Sequence, residues 1–200
     1  MDVRHEGKPG RNGKKNIHEA MADWHVSVLT GESRAWVVND DGSGEIADLV
    51  VISPPAAWFT EDGGFVAPIA DLPKAPVHVT LCHCKFAGSD VPRRQLKDLD
   101  EVVGQAHRSV RWMSNPRVFW ETLAARFGNR AKLMKGDSAL VGDALKYFAT
   151  NMPDTQVALQ VVQPGLDIAK VPGWVAGEIL LSFLSDAAGT VGAAVTIVGA

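Results

Sequence analysis

The stretch Asp40-Asp41-Gly42-Ser43-Gly44 constrains the fold of this chain more than any other. It is a tight-turn signal: glycine accepts backbone angles that other residues resist, and aspartate bonds readily to nearby backbone. Apolar runs flank it, RAWVVND before and EIADLVVIS after. Two such runs joined by so short a turn pair antiparallel. The sheet therefore opens as a hairpin, with Asp48 expected inside the return strand.

A third apolar run, VHVTLCHCK at 77–85, follows a proline- and glycine-rich connection over 54–76. That connection is expected either to carry a short strand near 64–66 or to form a mobile loop. Two more strands are expected at QVALQVVQPGL and AAVTIVGA. Asn16 can cap a helix whose apolar positions are Ile17, Ala20, Met21, Trp24 and Val28. Further helices are expected at 91–114, with an apolar stripe of Leu96, Leu99, Val102, Val103, Ala106 and Val110, and at 115–130, stopped by Gly128. Two more fall at 137–152, capped by Asp137 or Ser138, and at 173–192. The order is helix, three strands, helices, strand, helix, strand. It predicts an α/β domain over 16–200 with a central mixed sheet flanked by helices. Residues 1–15, polar and basic, read as a flexible arm or linker.

The net charge of −3 argues against a protein that wraps DNA, but leaves room for a local basic groove. The apolar stretch after Val171 is broken by Glu178, Asp186 and several glycines, so no membrane span is expected. The N-terminus lacks the apolar core of a signal peptide, and a cytoplasmic location is expected. Cys82 and Cys84 are expected to be reduced thiols, because a disulfide between strand residues two apart would be strained. A zinc site at Cys82-His83-Cys84 is not expected either: neighbours on a strand point to opposite faces, and no second cysteine pair exists.

On the third strand, Val77, Val79, Leu81, His83 and Lys85 share one face, and His78, Thr80, Cys82, Cys84 and Phe86 the other. His83 and Lys85 fall at its C-terminal end, where open α/β sheets place their sites. Asp48 lies among apolar neighbours, and a buried carboxylate requires a partner such as a metal ion or a lysine. With suitable strand register, Asp48, His83 and Lys85 converge. A carboxylate, further ligands and a backbone carbonyl can hold a divalent cation, and a lysine beside it can activate water for phosphodiester hydrolysis.

This layout resembles the PD-(D/E)xK nucleases: a strand with a lone acid, a paired strand ending in acid-x-Lys, then a helix. Asp48 matches the first acid, and His83-Cys84-Lys85 stands in the acid-x-Lys position. Gln105, in GQAHRSVRW, resembles the glutamine that some members place beside the site, and Glu19 resembles an outer acid on the first helix. More narrowly, DDGSGEIADLVVI, HCKFAG, DLDEVVGQAHRSVRW and VVQPGL together resemble a nuclease-like domain at the C-terminal ends of bacterial helicase-type defence proteins.

The resemblance implies a restriction-endonuclease-like fold and a metal-dependent DNA nuclease of anti-phage defence or DNA processing. It implies Mg²⁺ or Mn²⁺, held by Asp48, His83 and the Cys84 backbone carbonyl, with Glu19 and Glu45 as reserve acids. Lys85 would activate water, and Gln105 would support Lys85 or a phosphate. Arg93, Arg94, Lys97, Arg108 and Arg111 would contact DNA phosphates. A helicase or ATPase domain or subunit is the implied partner, and a homodimer would cut both strands of a duplex. The family has Glu or Asp where this chain has His83. Imidazole is a poor ligand for Mg²⁺ and a better one for Mn²⁺. The alternative expectation is a catalytically degenerate scaffold that binds nucleic acid or a protein partner.

Overall fold

The computed structural model describes residues 15–28, 35–66, 75–85 and 96–199. They form a six-stranded mixed sheet of order β4-β1-β2-β3-β5-β6. Its strands are β1 (Trp36–Asn39), β2 (Leu49–Ser53), β3 (Val77–Cys84), β4 (Lys132–Lys135), β5 (Thr155–Val162) and β6 (Ala194–Val198). The β4-β1-β2-β3 half is antiparallel, and β3-β5-β6 is parallel. The flanking helices are α1 (Ile17–Val28), α2 (Leu96–Met113), α3 (Pro116–Arg126), α4 (Ser138–Asn151) and α5 (Val175–Gly189). The expected α/β class, a mixed sheet flanked by helices, is the one the chain adopts.

Alternation along the strands builds two cores. Val50, Ile52, Val77, Val79 and Leu81 face α2 to α5, whereas Leu49, Val51, Cys82 and Cys84 pack with Ile17, Met21 and Ala22 of α1. β2 is buried at every position because both its faces are covered, which is why its sequence shows no polar alternation. In α2, Leu99, Val102, Val103 and Ala106 fall at helical spacing and are buried. α1 begins with a capping box: the Glu19 N–H donates to Asn16 Oδ1 and the Asn16 N–H to Glu19 Oε2, each at 2.8 Å. Asp137 caps α4 by accepting from the Leu140 N–H at 2.8 Å. Gly128, at φ +81°, turns the chain after α3.

Three sequence expectations change. The first concerns the hairpin. Its turn is not tight, because residues 40–48 all lie outside the strands. Asp40 explains this: it is fully buried, accepts from the Ile46 N–H at 2.8 Å, and pairs with Arg126 Nε at 2.6 Å. These bonds fold the loop inward and leave Asp48 one residue before β2 rather than within it. The second is β4, which the sequence did not disclose. Lys-Leu-Met-Lys is too short and too charged to read as a strand, yet it pairs with β1, and its lysines suit a sheet edge.

The third is the 54–76 connection. Phe59 and Phe65 form an antiparallel bridge, and their rings pack edge-on against Trp36. Residues 56–66 are thus an aromatic cap on the larger core, with 67–74 lying outside the described residues. So do residues 1–14 of the expected arm, whereas Lys15 pairs with Asp23. No described helix is long and apolar enough to cross a membrane.

Candidate active site

The register of β2 and β3 sets Leu49 opposite Cys82, so one residue further Asp48 stands level with His83. The Cys84 backbone N–H donates to Asp48 Oδ2 at 2.6 Å. Asp48 is only 4 % exposed and His83 only 1 %. Burial pushes the Asp48 carboxyl up to about 8, against the Cys84 N–H, which favours the ionised form. The charges of Glu45 and Asp41 push it the same way.

His83 has a defined tautomer. Its Nε2 lies 2.9 Å from Ser109 Oγ, and that hydroxyl is 2.6 Å from the Ile46 carbonyl. A carbonyl only accepts, so the Ser109 hydroxyl donates to it and must accept from His83 Nε2–H. The lone pair then sits on Nδ1, which is buried with no hydrogen-bond partner. Burial, with Arg108 adding to it, holds the imidazole down at about 3, so it is neutral at physiological pH. A neutral imidazole with one nitrogen anchored and the other bare is the form that binds metal.

Glu45 completes the group. A carboxylate oxygen of Glu45, one of Asp48 and a ring nitrogen of His83 all lie within 4.8 Å of one another. Glu45 Oε2 accepts from the Gly42 N–H at 2.9 Å, which fixes the side chain across its loop. Burial raises the Glu45 carboxyl as well. Two carboxyls that burial makes reluctant to ionise, facing a bare imidazole nitrogen, form a donor set that a divalent cation would satisfy.

The group opens on a polar cleft of about 170 Å³ lined by Glu45, His83, Gln105, Arg108, Arg111 and Trp112, among others. Gln105 Oε1 is buried there without a hydrogen-bond partner. The Arg111 guanidinium sits 4.6 Å from the Trp112 ring centroid. Glu45, His83, Gln105, Arg108 and Arg111, singled out in sequence, thus meet at one place. A larger cleft of about 490 Å³ lies elsewhere on the sheet, between β3, β5 and the ends of α2 and α3.

The remaining candidates are placed differently. Lys85 does not line the cleft; its Nζ pairs with Glu101 Oε1 of α2 at 2.7 Å. Glu19 is spent in the α1 capping box. Cys84 meets Asp48 through its backbone N–H. Lys97 is exposed on the first turn of α2, and Arg93 and Arg94 lie outside the described residues.

Sequence reasoning missed Ser109, Asp40 and Arg126. Ser109 was findable as a small hydroxyl three residues after Ala106 in the buried stripe of α2. Asp40 and Arg126 are 86 residues apart, and nothing local signals their pairing. No family model, no curated protein and no solved structure matches the chain.

Proposed function

We propose that this chain is a metal-dependent nuclease domain that hydrolyses DNA phosphodiester bonds, built on the plan of the PD-(D/E)xK enzymes. One observation carries the reading: Glu45, Asp48 and a ring nitrogen of His83 lie within 4.8 Å of one another, and Glu45 and His83 line a cleft with Gln105, Arg108 and Arg111. The order of elements supports it, with a helix, an antiparallel meander, then three helices with the edge strand β4 among them, and a strand parallel to the third. The same resemblance suggests a helicase or ATPase partner in bacterial defence.

Glu45, Asp48 and His83 would hold the cation, which would supply Lewis acidity to the scissile phosphate and lower the pKa of an attacking water. Arg108 and Arg111 would bind the phosphate oxygens and offset the charge that builds there. Gln105 lines the cleft, and its amide would orient the water. His83 stays neutral throughout and moves no proton, since Ser109 holds its only N–H. A nitrogen donor in this set favours Mn²⁺ over Mg²⁺.

The Lys85–Glu101 pair favours a second reading, a scaffold that binds nucleic acid without cutting it. Cleavage of labelled single- and double-stranded DNA separates the two. The nuclease reading expects cutting in Mn²⁺, none in EDTA, and loss in Asp48→Ala. Binding without cutting under any metal would favour the scaffold.

A further inference from the structure

The sheet end that carries Asp48 has a second side. His83 faces α2, but Cys82 and Cys84 face α1 and belong to the smaller core. α1 brings His18 to the same end, where it is buried. A ring nitrogen of His18, a carboxylate oxygen of Asp48 and Cys84 Sγ all lie within 4.8 Å of one another. Cys82 Sγ is 3.7 Å from Cys84 Sγ.

His18, Asp48 and Cys84 fit a site for a thiophilic cation, and Cys82, which lies outside that group, adjoins it through Cys84. Two thiolates on a tetrahedral ion, with metal–sulfur bonds of about 2.3 Å, stand roughly 3.8 Å apart. The two thiols already have that spacing, well beyond the roughly 2.05 Å of a disulfide. The amide of Asn39 lies 3.2 Å from His18 Nδ1. Turned over, it presents its oxygen to an Nδ1–H, the outer bond that orients a ligating imidazole. The argument against a Cys82-His83-Cys84 site holds, since His83 faces the other way. The missing imidazole comes instead from α1, 64 positions upstream of Cys82 in sequence, where strand periodicity could not reveal it.

We propose that His18, Asp48 and Cys84, with Cys82 as the second thiolate, bind a divalent cation of the zinc class on the α1 side of the sheet. Sulfur donors select such an ion over Mg²⁺ or Mn²⁺, and four protein ligands leave no open position for substrate. The site is therefore a fastener: it ties α1 to the ends of β2 and β3. Asp48 is common to both groups, so occupancy on the α1 side ionises the carboxylate that also stands beside Glu45 and His83. Binding releases the two thiol protons to solvent. This assignment does not rest on the nuclease reading.

Cobalt titration of the full chain tests it without DNA. We expect one Co²⁺ to give a sulfur-to-cobalt charge-transfer band in the near ultraviolet and the intense visible bands of tetrahedral cobalt, both removed by Zn²⁺. The band should fall by about half in Cys82→Ala and in Cys84→Ala, where one of two thiolates is lost, vanish when both are replaced, and need a higher Co²⁺ concentration to form in His18→Ala. It should persist in His83→Ala and Glu45→Gln, because the cleft group contains no sulfur. Circular dichroism identifies variants that fold. Absence of the band in the wild-type chain, where no variant can be blamed, would overturn the proposal. So would a band of undiminished intensity in folded Cys84→Ala.

Discussion

The Cys84 backbone N–H donates to Asp48 Oδ2 at 2.6 Å, tying the start of β2 to the end of β3. That bond is the chief favourable contact of a carboxyl that burial pushes up to about 8. Asp48 is consequently protonated in the metal-free fold at neutral pH and ionises when a cation arrives.

Stability should therefore depend on pH in a defined direction. Between 3.8, the ordinary value, and about 8, the folded chain holds a proton on Asp48 that the unfolded chain has lost. Stability from this group is full below that window and lost as pH rises through it. His83 acts oppositely: held at about 3 against 6.5, it costs stability as pH falls between those values. The two oppose each other below pH 6.5; above it Asp48 acts alone until about pH 7, where Cys82, lowered from 9.0 to about 7 chiefly by its hydrogen bond with Cys84, begins to add stability as pH rises. In EDTA the melting temperature should decline from about pH 6.5 to 7 and level off above it, where Cys82 offsets Asp48. Asp48→Asn, which keeps an acceptor for the Cys84 N–H, should flatten that decline, as read by thermal melts across pH. Equal slopes in both proteins would contradict the account.

Ser109→Ala should cost about 1–3 kcal/mol, because both His83 Nε2 and the Ile46 carbonyl lose a buried partner. It should also weaken Mn²⁺ binding by roughly 10–100-fold, since the imidazole loses the bond that fixes its tautomer. Urea unfolding and calorimetric titration of Mn²⁺ measure the two effects separately. Lost stability with unchanged Mn²⁺ affinity would make Ser109 a packing residue only.

Lys85 and Glu101 should separate function from stability. Lys85 is 16 % exposed and Glu101 46 %, so Glu101→Gln should change stability by no more than about 1 kcal/mol. If Lys85 acts on water, it must leave Glu101, and Glu101→Gln should then speed single-turnover cleavage. Lys85→Ala should slow it by about 10²–10⁴-fold. An unchanged rate in both variants would remove Lys85 from the mechanism.

Arg126→Ala should be among the most damaging single substitutions, at about 3–5 kcal/mol, because it strands the fully buried Asp40. The loop that carries Glu45 should loosen with it. Chemical denaturation reports the first effect and weaker Mn²⁺ binding the second.

The sequence displayed what local periodicity encodes. The two-faced burial of β2, the stripe of α2 and the same-face placement of Val77 to His83 were all legible, and so was the mixed sheet. Arg108 and Arg111 were legible as cations on the exposed side of their helix, Gln105 only through the family resemblance, and Glu45 because it leads toward Asp48. What stayed hidden depends on distant partners. Asp40 reshapes its hairpin through Arg126, and β4 exists because β1 offers it an edge. Lys85, one residue past the end of β3, is drawn to Glu101, a pairing that strand alternation cannot express.

The central claim is that Glu45, Asp48 and His83 together hold the cation that cuts DNA. The most direct test is single-turnover cleavage by the wild-type chain and His83→Asp, each in Mn²⁺ and in Mg²⁺. Replacing nitrogen by oxygen in the donor set should raise the ratio of the Mg²⁺ rate to the Mn²⁺ rate by at least about tenfold. Cleavage whose metal preference is the same in both proteins would show that His83 is not a ligand and contradict the account.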